Sequence, residues 1–222
     1  MLKVLLSLSV PALSIILLTG CLSSPEGVEA IDGFDKQRYL GRWYEVARLD
    51  HSFERGLSNV TADYSIREDG GIRVINRGYS AEESAWQEAE GRAYFMEDEQ
   101  RGHLKVSFFG PFYGSYIIFD MDKLDYQYAF VAGNSTDYLW LLARTPTIKP
   151  ELREHFIERV GELGFNPGGL IFVDQAFYGP QALNGPQAPN QPQALNEPQA
   201  PNGPQAPNQP QGFNPQPAAA VN

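Results

Sequence analysis

The sequence has a single cysteine, Cys21, among 222 residues, so no intrachain disulfide can form and any exported domain must be held by its core alone. Basic residues are also scarce: 17 Lys and Arg against 27 Asp and Glu give a formal charge of −10. That balance excludes a nucleic-acid binder, which needs basic stripes to neutralise phosphates. There is no His-Glu-x-x-His pair, no Gly-x-Ser-x-Gly elbow, no phosphate-cradling glycine loop and no dinucleotide fingerprint. His51, His103 and His155 fall on a loop, a strand start and a helix, without metal-ligand spacing. Neither a catalytic residue, a metal nor a cofactor is expected, and the chain does not read as an enzyme. A long apolar run occurs only over residues 4–18, and Pro11 and its short span argue against a membrane-crossing helix.

That run follows Lys3 and ends at Leu18-Thr19-Gly20-Cys21, the pattern of an export signal with a small-residue cleavage site. It resembles the lipobox of bacterial lipoproteins. The resemblance implies that residues 1–20 are removed, that Cys21 becomes the acylated lipid anchor, and that residues 21–30 form a tether. Leu22 stands where Asp would retain a lipoprotein at the inner membrane, which favours the outer membrane and its periplasmic face. The other end is equally distinct. From Gly179 a six-residue unit repeats, first as Gly179-Pro180-Gln181-Ala182-Leu183-Asn184, with proline too frequent for a helix or an inner strand. Residues 179–222 read as a disordered tail with polyproline II character, spanning about 130 Å if extended and about 35–40 Å as a coil. Its partner is not legible.

Between these ends, residues 31–178 carry the strand signals of one all-β domain. The first strand contains Tyr39-Leu40-Gly41-Arg42-Trp43-Tyr44-Glu45-Val46-Ala47-Arg48, and strands are predicted over 59–66, 72–79, 86–95, 104–109, 115–120, 126–132 and 138–144. The loop at 50–56 is longer than a hairpin requires. Pro150 opens an amphipathic helix with Leu152, Phe156, Val160 and Leu163 on one face, stopped by Gly164, and a short edge strand follows at 170–173. Eight mostly up-and-down antiparallel strands close best into a β-barrel, whose interior can hold one small ligand. Trp43 would plug one end, with Gly41 allowing close approach of another segment and Arg144 stacking on the indole.

These residues resemble the lipocalin family, most closely the bacterial outer-membrane lipocalin lipoproteins. The match rests on Gly41-Arg42-Trp43-Tyr44-Glu45, Thr136-Asp137-Tyr138 and Arg144-Thr145-Pro146, and more narrowly on Phe53-Glu54-Arg55-Gly56-Leu57, Val74-Ile75-Asn76-Arg77-Gly78-Tyr79 and the stretch Lys105-Val106-Ser107-Phe108-Phe109-Gly110-Pro111-Phe112-Tyr113-Gly114. The repeat tail departs from the family pattern. The resemblance implies an eight-stranded barrel with one packed C-terminal helix, floored by Gly41, Trp43 and Arg144.

Alternation along the strands, with Trp43 and Arg144 inward, assigns a lining of Glu45, Ala47, Tyr138, Trp140 and Leu142. The family's strand phase adds Val60, Ala62, Val74, Asn76, Ala93, Val106, Phe108, Tyr116 and Ile118. Glu45 is the odd member, and burial requires it to be neutral, paired with Arg144, or hydrogen-bonded by a tyrosine or Asn76. The expected function is storage or transport of a single-chain lipid, a long-chain fatty acid or a lysophospholipid, by a protein tethered to a membrane. The alternative is an envelope interaction protein that works through its tail. A homodimer is left open by the sequence.

Overall fold

A computed structural model describes residues 22–177. The proposed signal segment, Cys21 and the repeat tail lie outside the described residues. The elements are a one-turn helix α1 (Lys36–Tyr39), strands β1 (Gly41–Arg48), β2 (Leu57–Ile66), β3 (Ile72–Ser80), β4 (Ala85–Phe95), β5 (His103–Ser107), β6 (Gly114–Met121), β7 (Tyr128–Ala132) and β8 (Leu139–Ala143), helix α2 (Pro150–Glu162), and a two-residue strand β9 (Ile171–Phe172). Each of β1 to β7 pairs antiparallel with the next, and β8 pairs back onto β1, so the eight strands close into a barrel. Closure satisfies the backbone donors and acceptors that an open edge would leave unpaired.

The strand signals of the sequence all become strands. Four are shorter than expected: β7 starts at Tyr128 instead of Tyr126, β8 spans Leu139–Ala143 instead of 138–144, β9 spans Ile171–Phe172 instead of 170–173, and β5 ends at Ser107 instead of Phe109, because its pairing with β6 stops at Val106 opposite Gly114. Residues 108–113 then form a loop.

Two apolar clusters divide along the pleat. Trp43, Ala62, Tyr64, Ile72, Val74, Ala93, Leu104, Ile118, Val131 and Leu142 face the interior. Val46, Ala47, Leu49, Ile117, Phe119, Phe130, Leu139 and Leu141 face outward, where they are covered by Phe156 and Val160 of α2. The helix begins at Pro150, whose fixed φ suits a first turn, and the chain turns away at Gly164, whose φ of +79° is costly for other residues.

α1 marks one end of the barrel. Its N-cap Asp35 accepts from the backbone N–H groups of Gln37 and Arg38. Lys36 pairs with Glu99, and the Arg38 guanidinium donates to the carbonyls of Lys123 and Leu124, which ties α1 to the 96–102 and 122–127 loops. The up-and-down order therefore puts residues 49–56, 81–84, 108–113 and 133–138 at the other end.

A C-terminal strap crosses the wall where β1 and β2 separate. β9 pairs with Ala47 and Arg48, the backbone N–H of Asn59 donates to the Asp174 carbonyl, and the Gln175 side-chain amide donates to the carbonyls of Glu45 and Val60 at 2.8 and 3.0 Å. Buried carbonyls that strand pairing has left free are thereby satisfied.

Candidate functional site

The floor is built from α1, the start of β1 and the end of β8. Trp43 is fully buried and donates from Nε1 to the Tyr39 carbonyl at 2.8 Å. The Arg144 guanidinium lies 3.8 Å from the centre of the indole and donates to the carbonyls of Arg42, Arg38 and Tyr126. Gly41 has φ of +90°, and a Cβ there would stand 3.6 Å from the Arg144 guanidinium. The close approach expected at Gly41 is thus made by a side chain, and the backbone angle is the stricter demand.

Above the floor, three phenols converge. The Tyr116 hydroxyl lies 2.6 Å from that of Tyr39 and 2.9 Å from that of Tyr64. Burial pushes all three phenols above the ordinary tyrosine range, so they stay protonated and serve as neutral hydrogen-bonding groups.

The predicted lining is brought together with one exception. Ala62, Val74, Ala93, Ile118 and Leu142 are buried on the inner face. Val60 is buried beside Gly78. Asn76, Val106, Phe108, Tyr116 and Trp140 belong to the inner face yet are only partly buried. Phe108 lies against Gly91, where a Cβ would stand 2.8 Å from its ring, so the absence of a side chain on β4 makes room for an aromatic reaching in from the loop. Tyr138 sits at the mouth, stacked with Phe53.

Ala47 is the exception. A bulge between Glu45 and Ala47 shifts the register against β8, so that Ala47 lies opposite the outward Leu141 and Arg48 opposite the inward Trp140. Strict alternation had placed Ala47 inside. The extra residue instead carries Arg48 into the interior, where it is 2% exposed.

Arg48 pairs with Glu45 in place of the Arg144, tyrosine or Asn76 expected from sequence, while burial favours the neutral form that was the other expectation. Its guanidinium donates to Glu45 Oε1 at 2.7 Å and to the Glu54 and Leu57 carbonyls at 2.8 and 3.2 Å. Glu54, on the long loop, accepts from Trp140 Nε1 at 3.0 Å. Burial raises Glu45 well above the usual carboxylate range; the neighbouring Glu54 adds to this and Arg48 opposes it. Burial likewise raises Glu54, against the pull of Trp140 and Arg48. Arg48 thus pairs with the Glu45 carboxyl while its charge also acts on the nearby Glu54 carboxyl, and burial raises both. Near the mouth the greasy wall has a polar collar of Glu45, Arg48 and Glu54. Arg48 and Glu54 were missed by sequence reasoning; an acidic residue on the inner face was the available signal for a nearby cation.

His51 closes the collar. Its ring is 4.1 Å from that of Phe53 and 5.1 Å from that of Trp140, and its Nε2 lies 3.3 Å from Glu54 Oε2 without hydrogen-bond geometry. Burial, reinforced by Arg48, lowers its pKa to about 4. Because the unfolded value is about 6.5, stability from His51 is present above that value and is lost as pH falls through the folded value. The chain should therefore lose about 1–2 kcal/mol between pH 6.5 and 4 through this residue, the full shift being reduced by partial solvation. Glu45 acts in the opposite sense, because its raised pKa favours the folded state at low pH. The measurement is thus the difference between urea-unfolding free energies of the wild-type protein and His51→Phe, which should widen in favour of the variant on acidification. A constant difference across that range would refute the assignment.

The profile of the lipocalin-like domain family matches residues 34–175. Over 160 residues the chain is 59% identical to the outer membrane lipoprotein Blc of Vibrio cholerae, covering 72% of this chain and 94% of that one. Over 173 residues it is 48% identical to the outer membrane lipoprotein Blc of Escherichia coli, covering 77% and 97%. Among solved structures, insecticyanin from the tobacco hornworm superposes with a TM-score of 0.56 at 17% identity, over 68% of this chain and 86% of that one, which bears on the fold alone. The closed barrel, the packed helix and the family match over most of the described residues agree, and the chain belongs to the lipocalin-like family.

Proposed function

We propose that this chain is an outer-membrane lipoprotein, acylated at Cys21, that carries one single-chain lipid, a long-chain fatty acid or a lysophospholipid, in its barrel. The observation that carries the reading is the group of inward side chains, Val106, Phe108, Tyr116 and Trp140, that retain accessible surface above a sealed floor. Solid packing would leave them buried. The two relatives named as outer membrane lipoproteins support the location. The magnitudes are adequate: burying about ten methylenes contributes about 8 kcal/mol. Loss of ligand freedom removes several of these, leaving an affinity of about micromolar or somewhat better. The acyl chain points toward the floor, where the phenols offer only neutral partners. The head group stays near the collar and mouth, where polar groups and solvent are available.

Fluorescence titration with a lysophospholipid and with a fatty acid tests this reading. One lipid should bind per barrel, and Ala93→Trp, which fills the inner wall, should abolish binding while the protein remains folded by circular dichroism. Unchanged binding to that variant would place the lipid elsewhere and overturn the cavity reading.

A further inference from the structure

We infer that the mouth of the barrel docks on the bilayer that holds the Cys21 acyl chains, with Phe109 and Phe112 entering the lipid interface. The inference rests on the proposed acylation of Cys21 and adds an orientation to it.

The first observation is where the chain emerges. Ser115, at the start of β6, donates from Oγ to the carbonyl of Ser23 at 3.1 Å. From there the N-terminal segment follows the outer wall. Val28 packs in the outer cluster, Ile31 exchanges backbone hydrogen bonds with Ile118 and Gly102, and Phe34 reaches the floor beside Tyr39. The segment therefore starts at the mouth and ends at the closed end. Cys21 is two Cα steps from Ser23, at most about 8 Å. β1 alone, with eight residues, is about 26 Å long, and at the usual tilt of barrel strands it spans about 20 Å from floor to mouth. A tether that short holds the mouth, and not the floor, next to the anchor.

The second observation is independent and lies in side chains. Phe109 and Phe112 are 80% and 78% exposed, and both sit in the 108–113 loop immediately before Ser115. Phe53, on the 49–56 loop at the same end, is 58% exposed. Behind the two rings, Arg92 and Lys105 stack on Tyr113 at 5.8 and 5.3 Å. Exposed aromatics backed by cations suit the boundary between head groups and acyl chains. Glu82 and Glu83 lie on the loop between β3 and β4 at this end, so the barrel tilts with the 108–113 side toward the lipid and the acidic side away. A carrier held this way receives its cargo from the surface its opening touches.

The test uses the acylated full chain in vesicles of phosphatidylethanolamine and phosphatidylglycerol that carry a shallow nitroxide-labelled lipid. A fluorophore on Phe112→Cys should shift to shorter wavelength and be quenched by the nitroxide. The same fluorophore on Leu124→Cys, an exposed site at the closed end, should do neither. Acylation blocks the thiol of Cys21, and the intact mass records it. Protein without acyl mass would overturn the anchor reading and the docking with it. Acylated protein with a water-exposed label at 112 would overturn the docking alone. A shifted but unquenched label would mean that a second copy covers the loop, again overturning it. In a second arm, Phe109→Ser combined with Phe112→Ser should slow uptake of a lysophospholipid from vesicles several-fold while leaving its affinity in solution unchanged. An unaltered uptake rate would overturn the role assigned to the rings.

Discussion

Replacing Trp43 with alanine is expected to cost about 3–5 kcal/mol, a large fraction of the stability of a domain this size. The indole is fully buried between Tyr39, whose ring is 4.8 Å away, and the Arg144 guanidinium. Its N–H satisfies the Tyr39 carbonyl at the end of α1. Truncation leaves a void under the floor, an unpaired carbonyl and a half-buried cation that has lost its ring. Trp43→Phe retains most of the packing but not the donor, and should cost about 1 kcal/mol from the hydrogen bond. A double-mutant cycle with Arg144→Ala should return a coupling of about 1–2 kcal/mol, as expected for a partly desolvated cation over an aromatic face. Thermal unfolding of the four proteins checks this, and additive losses would show that the two side chains support the floor independently.

Arg48→Met should be comparably damaging, by about 3–5 kcal/mol near neutral pH, for a different reason. The thioether retains much of the volume, so packing is not the main loss. What is lost is the cation hydrogen-bonded to the collar: Glu45 loses its guanidinium, and the carbonyls of Glu54 and Leu57 lose a donor. Both carboxyls already have raised pKa values with Arg48 present, and without it both are driven further toward the protonated form. The deficit should accordingly shrink as pH falls toward 4, because neutral carboxyls need no counter-charge. Adding Glu45→Gln should recover part of the loss at neutral pH. The exposed pair Arg73–Glu90 provides the contrast, since solvent screens it and Arg73→Ala should leave stability nearly unchanged. Urea unfolding at two pH values measures all of these, and a pH-independent loss for Arg48→Met would mean that packing, not charge, is its role.

The barrel was legible because its signals are local and repeated. Alternation, turn residues such as Glu68-Asp69-Gly70-Gly71, and the switch to helical spacing after Pro150 each depend on a few neighbouring residues. The floor could be anticipated from the indole and guanidinium at matching strand ends. The collar could not, because phase counted from Trp43 assumes one residue per pleat and β1 breaks that rule once. Gln175 was invisible for another reason: its partners are the carbonyls of Glu45 and Val60, and backbone atoms left free by a distant strand leave no mark on the sequence. Phe108 packs against the inner cluster although its strand ends one residue earlier, because the gap at Gly91 leaves room for the ring.

The irregularity near Val46 has a consequence for how such proteins diverge. Val46 and Ala47 both face the wall beneath the helix, so deleting one amino acid there would restore strict alternation and leave the guanidinium of Arg48 in the hollow. A change in chain length can therefore be absorbed at this point without rebuilding the charged vestibule. Among relatives, a one-residue gap at this place in the strand should leave cargo preference unchanged.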